Sequence, residues 1–290
     1  MIKALSLILL ILLLLIGGKR GLKTILTIYI NLFLITILII IYGWGFDPIL
    51  PTFVISLIIS CIILFLLNKV NIKTICSFIS VLIILVVFFG ITVLINNRIY
   101  IQGYAEENIE SIGYVSFDTG LNMMNLGISI VIIGLIGNIV DTSIAISSAL
   151  YEVHVNNPNL TTKELFLSGM NIGRDILGTT TNTLFFAYLG SCMTLFIYFQ
   201  DFKYSFMTIM NSKIFAIEFT RIIISGAASF LIIPLTAVIT AYVCKKKGDE
   251  FEEIEDPIRR QEPISDRERP ARSNNSNSKR KTKNSLSRSV

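Results

Sequence analysis

Three stretches of this sequence hold carboxylate, guanidinium and amide side chains inside otherwise apolar runs. In the first, GLIGNIVDTSIAISSALYE (134–152), Asn138, Asp141, Ser148 and Glu152 recur at steps of 3, 7 and 4, so they share one helix face. In the second, SGMNIGRDILGTTTNT (168–183), Asn171, Asp175 and Asn182 continue a stripe begun by Glu164 and Ser168, with Arg174 beside it. The third is Glu218 with Arg221, whose i, i+3 spacing permits an ion pair on one helix. An ionisable group in hydrocarbon is costly unless it is paired or wetted, and such a group is by default a functional candidate. The chemistry on offer is the binding or passage of a small polar solute or ion. Asn138, Asp141, Ser148, Asn171, Arg174, Asp175 and Asn182 are the candidate lining.

A mechanical reading stands beside that one. The same stripes can serve helix–helix contacts, and glycines accompany both: Gly127, Gly134 and Gly137 around the first, and a GxxxG pair, Gly169 and Gly173, in the second. Arg174 and Asp175 are adjacent and cannot face one another on a helix, so each needs a partner elsewhere; Asp141 with Arg174 is the expected pair. Glu218 and Arg221 can likewise be a structural pair, or can reach an interface by snorkelling.

Other chemistries are poorly supplied. Asp141 with Asp175 would have to serve as an acid–base pair, but no spacing fixes their separation and no metal ligands accompany them. The single histidine, His154, cannot build a metal site alone. Cys61, Cys76, Cys192 and Cys244 lie in or beside apolar runs with no CxxC pair and read as small apolar side chains. No GxxxxGKS/T, HExxH or GxSxG occurs. No catalytic residue, metal, cofactor or nucleotide site is expected, and the chain is not expected to be an enzyme.

The elements that must carry these residues follow from the apolar runs. A bilayer span needs about 20 apolar residues. Runs at 2–18, 24–43, 49–67, 75–96, 126–150, 179–199 and 213–243 meet or approach that length, the last with a kink expected at Pro234. The first is short enough to raise a signal peptide, but Lys19 and Arg20 follow it and no A-x-A site occurs, so it reads as a retained span. Thr161 and Glu164 form a capping-box pattern. From there to residue 200 is too long for one perpendicular span, so an amphipathic or re-entrant piece, 162–177, is expected, with a break near Gly178.

Composition agrees. Hydrophobic residues are 53% of the 290 and charged residues only 16%, against about 25% charged in soluble chains; mean hydropathy is +0.70. Residues 244–290 hold 13 of the 25 Lys and Arg and 9 of the 20 Asp and Glu. The reading is an all-α transmembrane bundle, residues 1–243, with a disordered charged tail, 244–290. Lys19, Arg20, Lys23, Lys69, Lys73 and Lys245–Lys247 fall in alternate loops. Seven spans therefore place the N-terminus outside and the C-terminus in the cytoplasm. The lipid bilayer is the main partner; nucleic acid is not expected.

The chain resembles the YibE/F family of bacterial multi-pass membrane proteins. The resemblance rests on GNIVDTSIAISSALYE (137–152), on SGMNIGRDILGTTTNT (168–183) with AYLG (187–190), and on EFTR (218–221) followed by PLT (234–236), with GGKRG at 17–21. It covers about residues 1–243. Val140 and Thr180 depart from the family pattern, and the short segment before the first span is similar to the shorter, YibF-type branch. The resemblance implies a hetero-oligomer with a longer YibE-type relative. It supplies no reaction, so two functions are carried forward: a transporter or permeation subunit, and a structural or assembly subunit of a membrane complex.

Overall fold

The computed structural model describes residues 2–99 and 122–255. Most of the polar loop at 97–121 and the tail beyond Glu255 lie outside the described residues. Met1–Gly248 form one compact unit, and Asp249–Val290 a second.

Everything regular among the described residues is helical: α1 (Ile2–Gly43), α2 (Ile49–Asn68), α3 (Ile72–Ile99), α4 (Met123–Asn156), α5 (Thr162–Asp201), the short α6 (Phe206–Met210) and α7 (Lys213–Glu255). Helices satisfy every backbone donor and acceptor within the segment, which hydrocarbon demands. Six are long and apolar enough to cross a membrane: Leu5–Gly43, Ile49–Asn68, Ile72–Ile95, Met124–Asn156, Thr162–Asp201 and Lys213–Lys246.

Three boundaries differ from the sequence expectation. The runs 2–18 and 24–43 belong to one helix, α1, bent at Gly18 (φ 49°, ψ −130°), a conformation open to glycine. The bend is sharp. A Cβ on Gly21 would fall 1.9 Å from the Leu13 carbonyl oxygen, although eight residues of straight helix separate their levels by about 12 Å.

The second difference is a correction. No break occurs near Gly178 and no re-entrant turn forms, because α5 runs unbroken for 40 residues. Its Thr-rich run is satisfied inside the helix: the Thr179 hydroxyl donates to the Ile176 carbonyl (2.9 Å) and Thr183 to Thr179 (3.0 Å). One mid-helix glycine costs only about 1 kcal/mol, too little to end it. Thr161 and Glu164 do form the capping box that opens α5. The last helix continues through Pro234 to Glu255, beyond the 243 boundary read from the sequence.

Contacts between helices fix their directions. Tyr42 of α1 meets Thr52 of α2, whose hydroxyl donates to Ser129 of α4 (2.7 Å). Asn125 of α4 donates to both Asp47 carboxylate oxygens at 3.0 Å. Ser143 of α4 donates to the Ser77 carbonyl of α3 (3.2 Å), and Ser147 to that of Lys73 (2.7 Å). So α3 runs antiparallel to α4, and α2 parallel to it. On α7, Arg221 lies against Gly134, Ser229 bonds Asn138, and Thr236 meets Ser143 (3.2 Å), hence α7 is parallel to α4.

The first half of α5 closes the bundle through its glycines. A Cβ at Gly169 would stand 3.0 Å from Ala237 Cβ and 3.2 Å from a Leu150 methyl; at Gly173 it would stand 2.3 Å from an Ile233 methyl. Here the GxxxG pair is a packing surface. The core centres on α4, where Ile132, Leu135, Ile139, Ile146 and Leu150 are fully buried. Of the most apolar stretch of α4, 56% is buried; of α5, 6%. Half of α5 is thus an unsheathed apolar surface.

Candidate functional site

On α4 the predicted stripe is the side of the helix left open. Gly134, Gly137, Asp141 and Ala145 are exposed while Ile136, Ile139, Val140, Thr142, Ser143 and Ile146 are buried. The stripe has a paired part and a bare part. Asn138 donates to Ser229 Oγ and, at 3.5 Å, to the Ser225 carbonyl. Asp141, one turn on, has no hydrogen bond or ion pair among the described residues. Ser148 is half-buried farther along.

On α5 the second stripe is also open. Asn171, Arg174, Asp175, Gly178 and Asn182 are all exposed. Neither charge of Arg174–Asp175 is paired, and the expected Asp141–Arg174 ion pair does not form. The packing explains why. Leu150 touches Gly169 across antiparallel helices, so Asp141 lies level with Gly178, about 6 Å along the axis from Arg174. Arg174 also sits on the exposed face of α5, opposite the Gly169–Gly173 face that meets the bundle.

Depth follows from the same registers. Lys73, at the start of α3, accepts from Ser147 through its carbonyl and reaches Glu152 at 3.1 Å with its ammonium, which marks one end of the bundle near residues 147–152 of α4. Arg174 and Asp175 stand level with about residues 144–145 of α4, roughly one turn inside that end. Asp141 is about 10 Å inside, and Asn182, level with Gly137, about 15 Å.

A third cluster joins α4 to α7. Arg221 Nη1 lies 3.0 Å from Glu218 Oε2, and each side chain keeps 22% of its exposure. The guanidinium stem passes over Gly134, 3.7 Å from where a Cβ would sit, an ordinary van der Waals distance. Arg221 Nε and Ser225 Oγ are buried without a partner. A buried orphan costs about 1–3 kcal/mol, and this seam concentrates two of them. Gly134, Asn138, Arg221, Ser225 and Ser229 therefore form one polar seam, and Asp141 lies at its open end.

Ser225 and Ser229 are not among the candidate residues of the three stretches. Their signal was present: with Arg221 they recur at steps of 4, one helix face beginning at a charged residue. Lys73, which pairs with Glu152 and lies 4.7 Å from the Tyr151 ring centroid, left none, since only the fold brings α3 to the end of α4. Gly137 packs against nothing within 4 Å of a Cβ. Among the described residues no three His, Cys, Asp or Glu side chains are grouped to hold a metal.

Long apolar helices, buried hydroxyl bridges and polar seams at depth define a polytopic helical membrane protein. Residues 5–246 match the family described as YibE/F-like protein. The chain belongs to that family. No curated protein and no solved structure matches it significantly.

Proposed function

We infer that this YibE/F-family protein is a permeation or transport subunit for a small solute or ion, with Asp141 as the central group of the route. The observation that carries the reading is a contrast. Glu218 and Glu152 are ion-paired, whereas Asp141 stands unpaired on the open side of α4, about 10 Å along the axis from one end of the bundle, beside a seam holding further unsatisfied polar atoms. A lone carboxylate at that depth stays ionised only with water or a solute beside it.

The route runs from Glu218–Arg221 along Gly134, Asn138, Ser225 and Ser229 to Asp141, and leaves past Ser148. The orientation that goes with it is seven crossings, α1 counted as two spans about Gly18, in the bacterial plasma membrane. The end holding Lys19, Lys23, Lys69, Lys73 and Lys245 then faces the cytoplasm.

Proteoliposomes test this with named probes: pyranine for protons, and indicator dyes for Na⁺, K⁺ and Mg²⁺, each under an imposed gradient. The parent should carry at least one of them, and Asp141→Asn at equal incorporation should lower that flux at least tenfold. Parental flux in the variant would remove Asp141 from the route. No flux of any probe in the parent would favour the assembly role.

A further inference from the structure

The exposed face of α5 has the pattern of a helix-pairing seam. Asn171, Asp175, Gly178, Asn182, Phe185 and Leu189 follow at alternating steps of 4 and 3, and all of them are exposed. That is the spacing by which two helices pack along a left-handed seam, knobs of one filling holes of the other. The seam is polar toward the α5 N-terminus and apolar beyond, where Phe185 (53%), Phe186 (68%) and Met193 (65%) stand bare. The opposite face of α5, through Gly169 and Gly173, packs on Leu150, Ala237 and Ile233 of the chain's own bundle, and the open seam ends at Leu189, since Cys192, the next position along it, is buried. Gly178 sits mid-seam with open space around a Cβ, so a neighbouring backbone can approach closely there.

We propose that this face binds a second copy of the same chain, α5 against α5, with Arg174 of each copy paired to Asp175 of the other. Charge complementarity selects that occupant. A twofold axis along the membrane normal keeps identical residues at one depth and makes the contact self-complementary. A knob at Asp175 enters a hole made by residues 171, 174, 175 and 178 of the facing helix, so each carboxylate meets the other copy's guanidinium. The two pairs neutralise both charges that the chain leaves unpaired about one turn inside the membrane. Asn182, deeper and with no bond among the described residues, meets its own copy, and an amide both donates and accepts. Asp141 is left as the uncompensated charge. The pairing does not depend on the permeation reading.

The test is disulfide trapping in native membranes, in a cysteine-free chain carrying Gly178→Cys or Leu189→Cys. Both should form covalent dimers, while Ile28→Cys on α1 should not. Arg174→Asp, which sets four carboxylates together, should cut trapping at least tenfold, and adding Asp175→Arg should restore it, since only a symmetric contact is repaired by exchanging two residues of one chain. Expression and monodispersity of each variant separate lost pairing from lost folding. No trapping at either site in the parent charges overturns the proposal. So does trapping indifferent to Arg174, or a well-folded exchange variant that stays monomeric, as a partner of different sequence would give. Asp141→Asn should lose flux and keep full trapping, so the two proposals fail separately.

Discussion

A methyl group added at Gly173 would lie 2.3 Å from a methyl of Ile233, inside the contact by which α5 joins α7. Gly173→Ala should destabilise the purified protein by about 1–3 kcal/mol, as overpacking does. Gly137→Ala, with nothing within 4 Å, should be near neutral. Thermal unfolding in detergent distinguishes them, and equal shifts would deny the GxxxG pair its packing role. The two ion pairs separate by the same logic. Glu152 keeps 62% of its side-chain exposure and Glu218 only 22%. Glu152→Gln should therefore cost at most about 1 kcal/mol. Glu218→Gln, which strands a guanidinium whose Nε already lacks a partner, should cost about 1–3 kcal/mol. Which residues are polar within oil was legible in the chain. Which of them find partners was not: Asn138 and Asp141 look alike in spacing, and only the placement of α7 satisfies one and leaves the other bare.

Elements carry a second lesson. Helix existence follows from apolar runs, because hydrocarbon leaves the backbone no other option. Where a helix stops is a closer contest. Gly-Gly-Lys-Arg-Gly bends α1 at Gly18, whose dihedrals other residues resist, yet Gly178 passes unnoticed within α5, since one mid-helix glycine costs only about 1 kcal/mol. The bend gives a sharp prediction. Gly21→Ala would drive a Cβ into the Leu13 carbonyl at 1.9 Å, a backbone atom with no freedom to move, whereas a Cβ at Gly17 meets nothing within 4 Å. Membrane levels of Gly21→Ala should fall severalfold and those of Gly17→Ala should not. Equal levels would mean that the tight turn contributes nothing to folding.

At the scale of the whole molecule, helix directions and charge placement converge. The contacts of α3, α4, α5 and α7 bring Lys73, Glu152, Thr161 and Lys245 to one end, where Lys245 donates to the Pro158 carbonyl at 2.9 Å. Asp47 and Asn125 mark the other. Cysteines at Phe46 and Val70, both exposed in short loops at opposite ends, should react differently with a membrane-impermeant thiol reagent in a cysteine-free background. Phe46→Cys should label in intact cells, and Val70→Cys only after permeabilisation; the reverse pattern would invert the proposed topology. The sequence by itself determined the class of protein, the identity of most spans and the stripes that could do chemistry, because hydropathy and helical spacing are local properties. Only the tertiary structure decided that α5 is one helix, that its polar stripe turns away from the bundle, and that Ser225, Ser229 and Arg221 join Asn138. Those outcomes depend on which faces of distant helices meet, a choice made by packing between residues that sequence order keeps far apart.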